Sequence, residues 1–115
     1  AFLGVGDHFL IHYLNADMNS DAGKRAEEQR AMEGFEAFAA RHAEAFAALH
    51  QRLGLDYFAI DAAETADGRI LVFEADVAMI VHDLDPPDLY PYKKPQMRKG
   101  FDAFEALLRA KSAIR

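Results

Sequence analysis

The sequence predicts an α+β fold, in which an antiparallel sheet packs against a long helix and a C-terminal helix. Two observations support this prediction. Apolar residues recur at three- and four-residue steps over residues 22–52 and again after Pro95, which is the spacing of amphipathic helices. Between these stretches, residues 56–76 form two strand-like runs around an Asp-Gly pair, the pattern of a β-hairpin. We expect residues 1–115 to form one domain or subdomain.

The elements follow in order along the chain. Residues 8–14 (His-Phe-Leu-Ile-His-Tyr-Leu) are aromatic and branched, which predicts a strand, and a polar loop follows at 15–21. The long helix is expected over residues 22–52, with Gly54 at its C-terminal end and Gly34 as a weak point inside it. Its apolar face comprises Met32, Phe35, Phe38, Ala39, His42, Phe46 and Leu49.

The second half begins with the hairpin, whose strands are expected on either side of Asp67-Gly68. Residues 83–95 contain all 4 prolines and predict an irregular stretch whose tyrosines and leucines lie against the core. Pro95 fits the first turn of the final helix. The buried side of that helix is expected to carry Met97, Phe101, Phe104 and Leu108.

Composition limits the classes of partner. The chain has 19 acidic and 13 basic residues, a formal charge of -6, which opposes binding to nucleic acid or to an anionic membrane. Cysteine is absent, so disulfides and thiolate chemistry are excluded, and a cytoplasmic location is expected. The apolar run at residues 77–81 is too short to cross a bilayer.

The hairpin carries the residues best suited to chemistry. A two-residue turn at Asp67-Gly68 would place Asp61 opposite Glu74, with Asp76 on the same face. Like charges so placed repel one another unless they share protons or bind a cation. Magnesium prefers oxygen ligands and often binds one or two carboxylates together with substrate phosphates. These three residues are therefore predicted metal ligands.

An alternative interpretation is a solvated sheet face, which also shows acidic residues at every second position. The setting favours the metal site, because apolar runs at residues 70–73 and 77–81 flank the acidic residues and indicate an interior strand. By the same alternation, Phe73 and Ala75 are expected to point away from the acidic residues, into the core.

Asp61 and the later strand at residues 71–76 (Leu-Val-Phe-Glu-Ala-Asp) resemble a motif of the ATP-grasp superfamily. The resemblance implies that Asp61, Glu74 and Asp76 bind two Mg2+ ions that hold the phosphates of ATP, and that Phe73 packs under adenine. Asp76 stands where the family usually has asparagine, which keeps an oxygen ligand and adds negative charge. The motif covers about a fifth of the chain.

The resemblance further implies that the chain is the C-terminal part of an ATP-dependent carboxylate-amine or carboxylate-thiol ligase. ATP-grasp domains also need an upstream nucleotide-binding half with phosphate-contacting lysines. That half is not found before residue 56, so the chain is not expected to be active alone. The alternatives are a non-catalytic module that binds metal or nucleotide, and a plain interaction domain.

A few other residues have a chemical and a structural interpretation. His8 and His12 are four apart, but on a strand they would be far from each other, so structural roles are favoured. His12 and Asn15 could line the site, and His82 could add a ligand or cap a turn. Arg25 could bind phosphate or an acidic substrate, or belong to a solvated helix face.

Overall fold

The computed structural model describes residues 17–79 and 81–113, and over this part the chain has an α+β fold. The elements are, in order, α1 (Ala22–Glu33), α2 (Phe35–Arg41), α3 (Ala43–Leu53), β1 (Ala59–Glu64), β2 (Ile70–Asp76) and α4 (Lys93–Ser112). The two strands form an antiparallel sheet. The strand predicted at residues 8–14 lies outside the described residues. Among the described residues, no helix is both long enough and apolar enough to cross a membrane.

The single long helix predicted over residues 22–52 is wrong, because bends at Gly34 and His42 divide it into three helices. The backbone bonds nevertheless run on through both bends, since Phe38 donates to Gly34 and Phe46 donates to His42. Gly34 has little helical preference. At the second bend, the side chain of His42 is bonded to Glu64 of the hairpin. The predicted stretch is therefore helical, but it consists of three consecutive helices.

The two ends of this helical stretch are capped as their residues suggest. Asp21 accepts a hydrogen bond from the backbone N–H of Lys24 at 3.0 Å, which satisfies one of the free amides of the first turn. This bond and nearby positive charge hold the pKa of Asp21 below its usual value. At the other end, Gly54 has a φ of 63° and closes α3, as predicted.

The buried core lies between α1, the proline-containing stretch and the start of α4. It includes Met18, Met32, Tyr90 and Tyr92, with Met97 from α4 also buried. The prediction that this stretch lies against the core is thus confirmed for its tyrosines. It is wrong for its leucines, since Leu84 is 83% and Leu89 is 39% exposed. The stretch is irregular apart from two turns. Tyr90 N–H donates to the Pro86 carbonyl at 2.9 Å in the first, and Lys93 N–H donates to the Tyr90 carbonyl at 3.1 Å in the second.

Helix α4 begins as predicted, with Pro95 in its first turn. Its predicted buried side is confirmed only in its first half, because Met97 is buried and Phe101 is half-buried, whereas Phe104 and Leu108 are exposed. The second half packs lightly on the segment before β1, where the rings of Tyr57 and Phe104 lie 4.9 Å apart.

Candidate functional site

The hairpin closes through a different turn from the predicted one. The Thr65 N–H donates to the Arg69 carbonyl at 2.8 Å, so the loop contains three residues, 66–68, and the two-residue turn is wrong. A two-residue turn of the favoured type needs positive φ at both central residues. Gly68 has a φ of 77°, but the only described non-glycine residue with positive φ is Asp17, so Asp67 does not provide it.

A β-bulge compensates for the extra loop residue. Ala62 pairs with Val72, yet Asp61 pairs with Glu74, so Phe73 has no partner of its own and two residues of β2 oppose one of β1. Beyond this bulge the strands continue with Asp76 opposite Ala59. The predicted cross-strand pairs are therefore confirmed. They result from a three-residue loop together with a bulge, and not from the predicted two-residue turn.

The three predicted metal ligands lie next to this bulge, on the side away from the turn. Asp61 and Glu74 are directly opposed and exposed, and Asp76 is half-buried on the same strand as Glu74. Asp76 also accepts a hydrogen bond from the Ala78 N–H at 3.0 Å. Across the described residues, no set of three or more His, Asp or Glu side chains is close enough together to hold a metal ion. The structure brings Asp61 and Glu74 together as a pair and leaves Asp76 beside them.

Phe73 and Ala75 are both exposed, so the prediction that they point into the core is wrong. The side chain of Phe73 is 60% exposed, and Leu71 on the same strand is 51% exposed. The reason is the bulge, which interrupts the alternation on which the prediction depended. Phe73 instead lies on the open side of the hairpin, next to Glu74. We call this side, with Leu71, Phe73, Asp61 and Glu74, the open face.

The other side of the hairpin faces the helices and is held there by one carboxylate. Glu64 at the end of β1 accepts hydrogen bonds from Arg41 Nη2 at 3.0 Å and pairs with His42 Nε2 at 2.8 Å. The bonds from Arg41 and then His42 hold the pKa of Glu64 below its usual value. His42 is itself buried, with its ring 4.8 Å from that of Phe38. Glu64 is thus the polar anchor of the hairpin on the bend between α2 and α3.

A buried ionic cluster joins α1, the proline stretch and α4. The carboxylate of Glu28 is 0% exposed and accepts from the Tyr92 hydroxyl at 2.7 Å. Lys93 Nζ lies 3.2 Å from the same oxygen of Glu28 and 2.9 Å from Asp85 Oδ2. The ring of Tyr90 lies under this ammonium group, 4.6 Å away. Sequence reasoning missed this cluster, although Glu28 stands one helical turn before Met32 on the apolar face.

The environment of the cluster shifts its titration. Burial alone would lower the pKa of Lys93, but the hydrogen bond to Asp85 and the charge of Glu28 more than offset it, so the pKa is raised. Burial, and then the bond to Glu28, raises the pKa of Tyr92. The other carboxylate oxygen of Glu28, Oε2, is buried and has no hydrogen-bond partner within residues 17–79 and 81–113. Lys93 is thus shared between two carboxylates, and the cluster has the character of a structural network.

The remaining candidates are placed as follows. Arg25 Nη1 donates to the carbonyls of Met18 at 2.7 Å and Asn19 at 2.8 Å, so it holds the loop before α1. His82 Nδ1 accepts from the Leu84 N–H at 3.2 Å, which is the capping role considered for it. His12 and Asn15 lie outside the described residues.

Comparison of the chain with protein-family models, with curated proteins and with solved structures finds no match.

Proposed function

We propose that the chain is the C-terminal part of an ATP-grasp ligase domain, and that the open face of its hairpin binds Mg2+ together with the phosphates of ATP. The proposal depends on one observation, the direct opposition of Asp61 and Glu74 across the strands. The bulge next to this pair also supports the proposal, since β-bulges often occur next to active sites, where they redirect a side chain.

The electrostatics of the pair favour a cation. Among the described residues, neither Asp61 nor Glu74 has a hydrogen-bonded or ion-paired side-chain partner, in contrast to Glu64, which is neutralised by Arg41. Two opposed carboxylates destabilise a hairpin when nothing compensates them. Two carboxylates plus phosphate oxygens are a usual set of magnesium ligands. Asp76, two residues further along β2, would complete the set for a second ion.

The reaction that follows from the resemblance is the activation of a carboxylate as an acyl phosphate, which an amine or thiol then attacks. In that scheme the chain contributes the carboxylates that position the metal and the phosphates, and Phe73 provides an apolar surface for adenine. The lysines that contact the phosphates would belong to an upstream nucleotide-binding half, so activity would require both parts.

Paramagnetic broadening by Mn2+, used in place of Mg2+, tests the metal site on the 115-residue chain. Amide resonances of residues near Asp61 and Glu74 should broaden selectively, and Asp61→Asn and Glu74→Gln should remove the effect. Asp88→Asn is the matched control, because Asp88 is an exposed acidic residue in a turn away from the hairpin. Broadening that is absent, or that persists in both hairpin variants, would contradict the proposal.

A second experiment separates an enzyme from a non-catalytic binding module. ADP release is measured with and without carboxylate acceptors, on the chain alone and on the chain combined with an ATP-grasp nucleotide-binding half. Release that depends on an acceptor and is lost in Asp61→Asn supports the ligase. Binding of Mg2+ and ATP without any acceptor-dependent release would instead identify the module.

A plain interaction domain is the second candidate, and the exposure of large apolar side chains favours it. Leu71, Phe73 and Val77 are each more than half exposed. Exposed apolar side chains grouped in this way often mark an interaction site. If Phe73→Ala and Leu71→Ala abolish binding to a protein partner while Mn2+ broadening stays absent, this second candidate is correct.

A further inference from the structure

The hairpin has two ways of pairing that share the same acidic pair. In the observed pairing the bulge at Phe73 lies between Asp61 and Ala62. In a straight pairing, closed by a two-residue turn at Asp67-Gly68, Asp61 would still oppose Glu74. The difference is confined to the part of the hairpin between the acidic pair and the turn.

The two pairings exchange which apolar side chains face the helices. In the observed one, Ala62 opposes Val72 and Glu64 opposes Ile70. In the straight one, Ala62 would oppose Phe73, and Glu64 would oppose Leu71. Directly opposed residues share a face of the sheet, and Glu64 marks the helix side because it bonds to the bend at His42. Straightening would therefore move Leu71 and Phe73 from the open face to the helix side.

The helix side has room for them. A cleft of about 220 Å³ separates α3 from β2. Its walls are formed by Ala45, Ala48, Leu49, Arg52, Ile70 and Val72. The two β2 residues are half-buried there, whereas Phe73 on the opposite side is 60% exposed. The straight pairing would turn Ile70 and Val72 out of the cleft and bring in Leu71 and Phe73. Because the Phe73 ring is larger than either side chain it replaces, this exchange would bury more apolar area and would give the straight pairing a physical driving force.

A small hydrogen-bond network opposes this driving force. The Thr65 hydroxyl accepts from the Arg69 N–H at 3.0 Å and also donates to a carboxylate oxygen of Asp67. Arg69 Nε in turn donates to Asp67 Oδ2 at 2.8 Å. The bond between Thr65 and Arg69 belongs to the three-residue loop, because it requires these two residues to be directly opposed, and the two bonds to Asp67 hold both side chains in that arrangement. The network selects the bulged pairing.

We propose that the hairpin is a two-register device, in which the turn network and the cleft under α3 compete to decide where Leu71 and Phe73 point. The bulged register presents both apolar side chains beside Asp61 and Glu74. The straight register withdraws them under α3 and leaves the acidic pair unchanged. The idea that this device controls the access of nucleotide to the open face rests on the proposed function, whereas the exchange of registers does not.

Paired cysteines test the device directly, since the natural chain has no cysteine. A63C/L71C links residues that are opposed in the observed register, and A63C/V72C links residues that would be opposed in the straight one. Both pairs should oxidise without denaturant. In oxidised A63C/V72C, the Phe73 ring should show nuclear Overhauser contacts to the methyl groups of Ala45 and Leu49. A63C/V72C that stays reduced while A63C/L71C oxidises fully would overturn the proposal.

Thr65→Val gives a second test that needs no crosslink, with Thr65→Ser as the matched control that keeps the hydroxyl. Loss of the hydroxyl should produce a cross-strand Hα contact between Ala63 and Val72, a close non-hydrogen-bonded pair in the straight register, that Thr65→Ser lacks. If Thr65→Val keeps only the contact between Ala62 and Val72, the network does not select the register and the device is refuted. Mn2+ broadening should survive in both crosslinked proteins. Its loss from the wild type as well would refute the metal site and leave the device standing.

Discussion

Removal of the buried ammonium of Lys93 is expected to be the most damaging single change in the chain. Lys93 is 6% exposed and neutralises Glu28, which is 0% exposed, together with the largely buried Asp85. Lys93→Met keeps most of the side-chain length and removes the charge, so two carboxylates lose their cation in a dry environment. Breaking a buried pair in this way costs about 3–5 kcal/mol.

This loss can be expressed as a melting temperature. With an unfolding entropy of about 2.1 cal/mol/K per residue, a chain of 115 residues should lose about 12–20 °C in Tm. The free energy of unfolding is measured by urea titration at pH 7, followed by circular dichroism. Lys94→Met is the control, because Lys94 is the exposed neighbour in the same helical turn.

The loss of stability in Lys93→Met is expected to depend on pH. In Lys93→Met the two buried carboxylates have no cation beside them, and protonation removes the cost of burying their charge. The penalty is therefore present at pH 7 and becomes smaller as the pH falls toward about 4, where acidic side chains bind protons. The difference between Lys93→Met and wild type should shrink from pH 7 to pH 4. A loss below about 1 kcal/mol at pH 7, in the range of an exposed pair, would refute the reasoning.

Three further predictions concern the anchors and caps. Glu64→Gln should lower the free energy of unfolding at pH 7 but not near pH 3. The pKa of Glu64 is lowered in the folded protein, so its contribution is present above the unfolded pKa of about 4.3 and is lost as the pH falls through the folded pKa. Equal effects at both pH values would exclude an ionic anchor. Asp21→Ala should cost about 1 kcal/mol in urea titration and Asp21→Ser almost nothing, unless the bond to Lys24 is dispensable. Gly54→Ala should cost about 1 kcal/mol, because alanine is strained at a φ of 63°; unchanged stability would show that the C-terminal cap relaxes.

The sequence predicts the helices and strands better than it predicts the bends and turns between them. The apolar spacing before Gly54 correctly indicated helix, but it could not show the bend at His42, since that bend depends on Glu64, a partner 22 residues away in the chain. The C-terminal helix was predicted with its proline in the first turn. Its exposed second half was not predicted, because periodicity shows which side is apolar and does not show whether anything covers it.

The hairpin shows how a correct pair can come from a wrong local structure. The Asp-Gly signal favours a two-residue turn, and the Thr65 hydroxyl, a side-chain effect outside that signal, favours a three-residue loop. The bulge then restores the opposition of Asp61 and Glu74. The exposure of Phe73 could not be predicted, because strict alternation leaves no place for an unpaired residue.

The position of Lys93 also bears on the order of folding. A cation in the first turn of a helix is unfavourable for the helix dipole, so α4 does not begin there because of its local sequence alone. The anion that compensates Lys93 comes from α1, 65 residues earlier in the chain, and from Asp85 in the proline stretch. Contacts between residues so distant form late, after the entropy of closing the loop has been overcome. We therefore expect the start of α4 to become helical only once α1 is in place, and a peptide of residues 93–112 alone to be frayed at its N-terminus.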